Sequence, residues 1–265
     1  MKLSSATCDV TVIIPAYNSV DTLERAITSV TNQTVRPKSV IVIDDNSSDN
    51  TYSLALQLAK NTSEIEFIVL KNARNLGPGL TRNVGWELAQ SKYLAFLDAD
   101  DAWDLRKLEV QVGWMESHPA IDLTCTQTRF YQSVQEMNYS TYSTAPVTLR
   151  RMLFKNPIPT RTVVLRLDIT ERFRRGLSED FALWTELLRN GKQITKIEVP
   201  LAIHFRPEFA PGGVSSALFT HERYEIVNIV RNFKFEPSLV PAAVIFSTVK
   251  FIRRLLINSL RKAKP

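Results

Sequence analysis

The sequence predicts an α/β fold: a mainly parallel sheet flanked by helices, with a basic helical tail. Two patterns carry that expectation. Short β-branched runs, apolar on both faces, alternate with stretches of helical spacing over the first hundred residues, and such runs are typical of strands covered by helices on either side. Most of the runs end in polar or acidic residues, as strands do where an open sheet meets a ligand cleft. With 44% hydrophobic and 23% charged residues in 265, the chain can bury a core of that size.

Taken in order, Val10 to Ile14 (VTVII) is the first strand, stopping at Pro15. Ser19 to Val30 repeats Val20, Leu23, Ile27 and Val30 at helical spacing, and Val40 to Ile43 (VIVI) is a second buried strand running into Asp44-Asp45. Asp49 to Ala59 is a helix with Asp49 as its N-cap. Ile65 to Leu70 is a third strand, Gly79 to Ala89 a helix, and Tyr93 to Leu97 a fourth strand, an alternation that implies a parallel sheet. Beyond it the pattern is less regular. Leu105 to Met115 reads as a helix, Ile121 to Gln127 and Thr162 to Leu167 as strands, Ser133 to Pro146 as a polar, mobile loop, and Ser178 to Arg189 as a helix capped by Ser178.

The N-terminus, MKLSSATCDV, is too polar for a secretory signal. Cys8 and Cys125 have no CxxC spacing and no neighbouring histidine, so a reduced, cytoplasmic setting with two ordinary buried thiols is expected. The net charge of +6 is localised. After Glu236 six basic and no acidic residues follow, leaving the first 236 residues balanced at 27 of each sign. A nucleic-acid binder should carry its basic surface on the folded body, so that class is excluded. In the tail, Ile245, Val249, Ile252, Leu256 and Leu260 are spaced for one helical face, with Lys250, Arg254 and Arg261 largely on the other. Lys250 interrupts the apolar run, which argues against a spanning helix. Two expectations remain: residues 240–264 lie on an anionic membrane surface, or the helix packs on the domain with its charges solvated.

In an open parallel sheet, ligands bind beyond the carboxyl ends of the strands. The four exits read Pro15-Ala16-Tyr17-Asn18, Asp44-Asp45-Asn46-Ser47, Lys71 to Asn75, and Asp98-Ala99-Asp100-Asp101. Asp98, Asp100 and Asp101 repel one another unless something positive sits there. In extended backbone Asp98 and Asp100 share a side, and two carboxylates suit a hard divalent cation that completes its shell with phosphate. Helix capping accounts for Asp104 but not for Asp98. Asn75 to Gly79 is a tight turn opening a helix, with Arg82 on its first turns, and helix N-termini and arginine both favour phosphate. A surface salt bridge is the plain alternative for Arg82.

The order IIPAYNSVDTLERAITSVTNQT, VIVIDDNSSDNT, NLGPGLTRNVGWELAQSKYLAFLDADD and LSEDFALWTEL closely resembles the family 2 inverting glycosyltransferases of the GT-A fold, a Rossmann-like nucleotide-binding architecture. The resemblance implies a catalytic domain over residues 1–215 and a helical extension over 216–265. It implies that Pro15, Ala16 and Tyr17 line the nucleotide pocket, that Asp45 grips base or ribose, and that Arg82 contacts the diphosphate. Asp98 and Asp100 would form the DxD pair, with Asp100 reaching a Mn²⁺ or Mg²⁺ ion, and Asp180 would be the general base. The alternative for Asp180 is charge at a helix N-terminus, which Glu179 satisfies by itself.

The implied reaction moves one sugar from a nucleotide-sugar donor, UDP by family frequency, to a hydroxyl of a saccharide or lipid-linked saccharide. It would take place on the cytoplasmic side, with the enzyme peripheral on the inner face of the membrane. The Gln-x-x-Arg-Trp motif of processive relatives is absent; the comparable stretch reads Ile203-His204-Phe205-Arg206-Pro207, where His204 is either a structural histidine or one that reaches the metal or phosphate. Arg172, Arg174 and Arg175 are either contacts for an acceptor's phosphate or solvated loop charges. A sugar nucleotidyltransferase would need a Gly-rich basic loop where PAYN stands, and a non-catalytic binding module would lack the base or the acidic pair.

Overall fold

The computed structural model describes residues 6–62, 64–132, 139, 141–154, 156–176, 178–205, 223–224, 226–227, 229–230 and 240–262. Its first half follows the predicted alternation: β1 (Thr7–Ala16), α1 (Leu23–Thr31), β2 (Arg36–Asp44), α2 (Thr51–Lys60), β3 (Glu66–Lys71), α3 (Pro78–Leu88) and β4 (Tyr93–Phe96). β1 pairs in parallel with β2 on one side and β4 on the other, and β2 with β3. The alternate side chains of β1 feed two cores. Ile13 joins Ile41, Ile43, Trp86 and Phe96 under α3, while Val10, Val12 and Ile14 join Leu23, Ile27 and Val30 of α1 on the other face. Helices therefore cover both faces, which is why these strands carry no polar alternation.

The second half contains β5 (Ala102–Trp103), α4 (Lys107–Ser117), β6 (Leu123–Phe130), β7 (Thr144–Pro146), α5 (Leu149–Phe154), a 3₁₀ turn (Thr160–Thr162), β8 (Val164–Arg166), α6 (Glu179–Arg189), β9 (Ile194–His204) and α7 (Val240–Lys262). Among the described residues the sheet runs β3-β2-β1-β4-β8-β6-β9-β5, with β7 added on β9. β8 is antiparallel to both β4 and β6, whereas β6 and β9 are parallel. Two reversals across β8 return β6 and β9 to the direction of β4. The carboxyl ends of β1, β2, β3, β4, β6 and β9 thus share one edge, and β8 starts from it.

Several local expectations change. Part of the predicted 133–146 loop is strand β7, paired antiparallel with β9, while 133–138 and 140 lie outside the described residues. Asn50 rather than Asp49 stands at the N-cap of α2, although Asp49 still accepts from the Thr51 amide at 3.0 Å. Ser178 is left-handed (φ 58°) and its side chain makes no capping bond to α6. The expected domain boundary at 215/216 falls outside the described residues. Cys8 and Cys125 are both buried, and burial pushes each thiol up to about 12, so neither is reactive at neutral pH. Lys107 is fully buried as well. Its Nζ donates to Gln111 Oε1 at 2.6 Å, and burial drives its pKa well below the usual lysine value.

Candidate active site

The acidic turn after β4 sits at the centre of the shared edge. Strand pairing stops at Phe96, and Asp98 to Asp101 form a turn closed by the Asp101 amide donating to the Asp98 carbonyl at 3.1 Å. The extended backbone expected for Asp98-x-Asp100 is therefore not what presents them. The positive charge demanded by three neighbouring carboxylates is largely supplied by the chain itself. Arg82 Nη2 donates to Asp98 Oδ1 at 2.5 Å, and Arg161 Nη1 to Asp101 Oδ2 at 2.5 Å. Arg25 Nη2 donates to the backbone carbonyl of Asp100 at 2.7 Å.

Arg82 is only 4% exposed, so it is no surface salt bridge. It spans two elements, reaching Glu179 Oε1 at 3.4 Å as well as Asp98. α3 carries it because Gly77, at φ +84°, turns the chain into the helix and Pro78 starts it. Gly79 lets α6 approach: a Cβ there would meet Glu179 Cγ at 2.6 Å. Beneath the arginine, Trp86, Phe96, Phe173 and Trp184 interlock edge-on or tilted, with centroids 5.4 to 6.3 Å apart. The Asn83 side chain clamps the Phe173 backbone, donating to its carbonyl at 2.8 Å and accepting from its amide at 3.1 Å. These contacts fix α6, and with it Asp180, against α3.

Asp180 accepts from Asn156 Nδ2 at 3.1 Å, and its charge is felt by both Glu179 and Arg82. Burial raises Glu179, repulsion from Asp180 adds to this, and Arg82 only partly offsets it, leaving the carboxyl at about 7. Burial also raises Asp101, against the pull of Arg161 and with repulsion from Asp98, again to about 7. Asp98 goes the other way: burial would raise it, but Arg82 and Arg161 together hold it below the usual carboxylate range.

The remaining expected residues lie around this centre. Pro15 and Ala16 are buried and offer a ligand only backbone, whereas Tyr17 is 53% exposed on the rim. Asp45 is buried, and its carboxylate accepts from Asn72 Nδ2 at 2.7 Å and the Leu76 and Gly77 amides at 2.8 Å each. It thereby shapes the turn that opens α3, with about one of its four acceptor positions left for a ligand. His204 lies against Phe130, centroids 5.3 Å apart. Arg172 and Arg174 have partners within the protein: Arg172 donates to the Ile169 carbonyl at 2.7 Å, and Arg174 to Glu186 at 2.6 Å. Backbone strain borders the same edge. Asn18, Asn46 and Ser178 are the non-glycine residues with positive φ among the described residues, and they follow β1, follow β2 and precede α6.

Sequence reasoning missed Arg161, Asn156 and Arg25. Arg161 leads into a β-branched run, and its signal was available only to a reader who knew that β8 runs antiparallel and so begins at the edge. Among the described residues no group of three or more His, Cys, Asp or Glu is placed to hold a metal. Asp98 and Asp100 offer the hard oxygen donors that Mg²⁺ or Mn²⁺ prefers, and Arg82 leaves Asp98 charged. Donors of that kind would suit an ion shared with phosphate and not a cage built by protein alone.

The family model for glycosyl transferase family 2 matches residues 11–173. The Escherichia coli UDP-Glc:alpha-D-GlcNAc-diphosphoundecaprenol beta-1,3-glucosyltransferase WfgD is 30% identical over 186 residues, covering 69% of this chain and 70% of its own length. An uncharacterized glycosyltransferase of Rickettsia bellii is also 30% identical, over 72% of this chain, but the match spans only 29% of that protein. Among solved structures, S. aureus TarS 1-349 superposes with a TM-score of 0.69 at 21% identity, covering 93% of this chain and 73% of that one. The mannosyltransferase PcManGT of Pyrobaculum calidifontis, solved with GDP-Man and Mn²⁺, gives 0.66 at 16% identity over 97% and 81%. At those identities the structural likenesses show the fold, which is GT-A. The family match runs from Thr11, within β1, through β4, the acidic turn and Arg82, and the chain belongs to glycosyl transferase family 2.

Proposed function

We propose that the protein transfers a single sugar from a UDP-sugar to a hydroxyl group of a saccharide, lipid-linked in the cell, with inversion at the anomeric carbon. The observation that carries this reading is the Arg82 bridge, which ties a buried, phosphate-seeking guanidinium to the acidic turn on one side and to the Glu179-Asp180 pair on the other. Support for the donor comes from S. aureus TarS 1-349, whose structures include complexes with UDP-GlcNAc and with UDP. Support for the acceptor comes from the name of WfgD, which describes transfer to a diphosphoundecaprenol-linked GlcNAc.

In this reading the nucleotide lies along Tyr17 and the turn shaped by Asp45, and Arg82 turns its guanidinium to the diphosphate. Asp180 takes the proton of the acceptor hydroxyl as that oxygen bonds to the anomeric carbon. The bond from that carbon to the diphosphate oxygen breaks from the opposite face, so one displacement inverts the centre, and the nucleoside diphosphate leaves with the electron pair. Asn156 holds the Asp180 carboxylate by donating to it, and the charge of Asp180 is one cause of the raised Glu179 carboxyl beside it. A Mn²⁺ or Mg²⁺ ion on Asp98 and Asp100, when bound, supplies positive charge for the leaving diphosphate.

The test is UDP release from a panel of UDP-sugars, with and without Mn²⁺, followed by acceptor trials with the best donor. Asp180→Asn is expected to bind donor as the parent does and to lose transfer by about 10³-fold or more. Weak donor binding in that variant, or transfer that survives it, would remove Asp180 from the role of base.

A further inference from the structure

We propose that the solvent side of α7 docks on an anionic lipid bilayer; the proposal builds on the lipid-linked acceptor of the preceding reading. The helix has two apolar sides. One packs on the domain: Ala243 is fully buried, Ser247 is 1% exposed, and Val240 and Val244 rest against the main core cluster. On the other side Ile245, Val249 and Ile252 are 65%, 58% and 51% exposed. They stand at i, i+4 and i+7, and at 100° per residue their mean direction is roughly 150° from that of the buried side. Packing on the domain and contact with a bilayer were alternatives in the sequence; this geometry allows both at once. Val227, Ile229 and Val230 repeat the arrangement, with Ile229 buried in the same cluster and the two valines each 51% exposed. Among the described residues no helix is long and apolar enough to cross a membrane, so the contact is one of surface docking.

Charge selects the occupant. From residue 237 to the end the chain carries six basic residues and no acidic one, and Arg253, on the same helix, is exposed. A second copy seated on this face in a two-fold arrangement would bring two such segments together, like charge against like. An anionic leaflet complements them, and three β-branched side chains at helical spacing match the shallow insertion of an interfacial helix.

The experiment is sedimentation of the full chain with vesicles of phosphatidylcholine, alone or mixed with phosphatidylglycerol, at low and high salt. The protein should pellet with the mixed vesicles, weakly with phosphatidylcholine alone, and less at high salt. Ile245→Glu/Val249→Glu/Ile252→Glu should lower partition by about tenfold or more while melting temperature and UDP release with a water-soluble acceptor stay at parent values. If the triple variant melts early, Arg253→Glu at an exposed position tests the same face, and it too should weaken binding. Absence of binding to anionic vesicles, undiminished binding by these variants, or a parent dimer that the triple variant turns into monomers would each overturn the proposal. Vesicle binding by a protein that releases UDP from no donor would leave the docking face standing and sink the enzymatic reading instead.

Discussion

Arg82→Met isolates what one buried cation does. Methionine keeps a flexible apolar stem over Phe173, whose ring lies 5.3 Å from the guanidinium carbon, and removes only the charge and its donors. Asp98 and Glu179 then lose the partner that stood 2.5 and 3.4 Å away. Stripping one member from a buried ion pair costs about 3–5 kcal/mol, because the charge left behind is neither hydrated nor compensated. Protonation can relieve part of that cost. The folded-state value of Glu179, about 7, lies above the 4.5 of the free side chain. A group raised in this way gives stability that is complete below 4.5 and is lost as pH rises through 7. Without Arg82 its value climbs further, and the decline with pH becomes steeper. Near pH 5 Glu179 is neutral with or without the arginine, so only Asp98 is orphaned. The expected loss is about 4 kcal/mol at pH 8 and about 2 kcal/mol at pH 5, read from urea unfolding of both proteins at each pH. A loss below about 1 kcal/mol at pH 8, or the same loss at both pH values, would refute the bridge as the organiser of this edge.

Three further outcomes are expected. Glu179→Gln should be more stable than the parent at pH 8.5 and equal to it at pH 5, because the raised carboxyl costs stability only when ionised; melting curves at the two pH values decide it, and a constant difference would count against the assignment. Gly85→Ala sets a helix-propensity gain of about 1 kcal/mol against an overpacking cost of about 1–3 kcal/mol. The new Cβ would stand 2.8 Å from Ile13 Cγ2 and 2.9 Å from Ile43 Cδ1, so a net loss, seen as a lower melting temperature, is expected. Asp45→Ala leaves the Leu76 and Gly77 amides without their acceptor and should cost about 2–3 kcal/mol besides weakening UDP binding by calorimetry; unchanged stability would mean that the turn holds its shape without Asp45.

The first four strands, and with them the edge where the site lies, were legible because each is a short, mainly apolar run, β-branched in β1 and β2 and aromatic or aliphatic in β4, and most of them end in polar residues. The second half was legible only in part: α4, β6, β8 and α6 lie close to where the pattern expects them, but Ala102–Trp103 and Thr144–Pro146 are two or three residues long and borrow their order from pairing partners, so local pattern is nearly silent about them. Strand direction is not written in local pattern at all, and the role of Arg161 depends on β8 running backwards. Asp98, Arg82 and Asp180 were found as separate signals, but their junction was not. That Gly79 lets Glu179 and Arg82 meet across 97 positions of sequence emerges only when α6 is laid against α3.

Arg82 and Arg161 also bear on what the protein can be before any ligand arrives. Sites whose acidic groups depend on a metal for neutrality often stay unfolded without it, so that ion supply governs how much functional protein exists. Here two guanidiniums serve as resident counterions. Neutralising these carboxylates therefore does not require a divalent cation, and the edge can assemble whatever the ambient level of such ions.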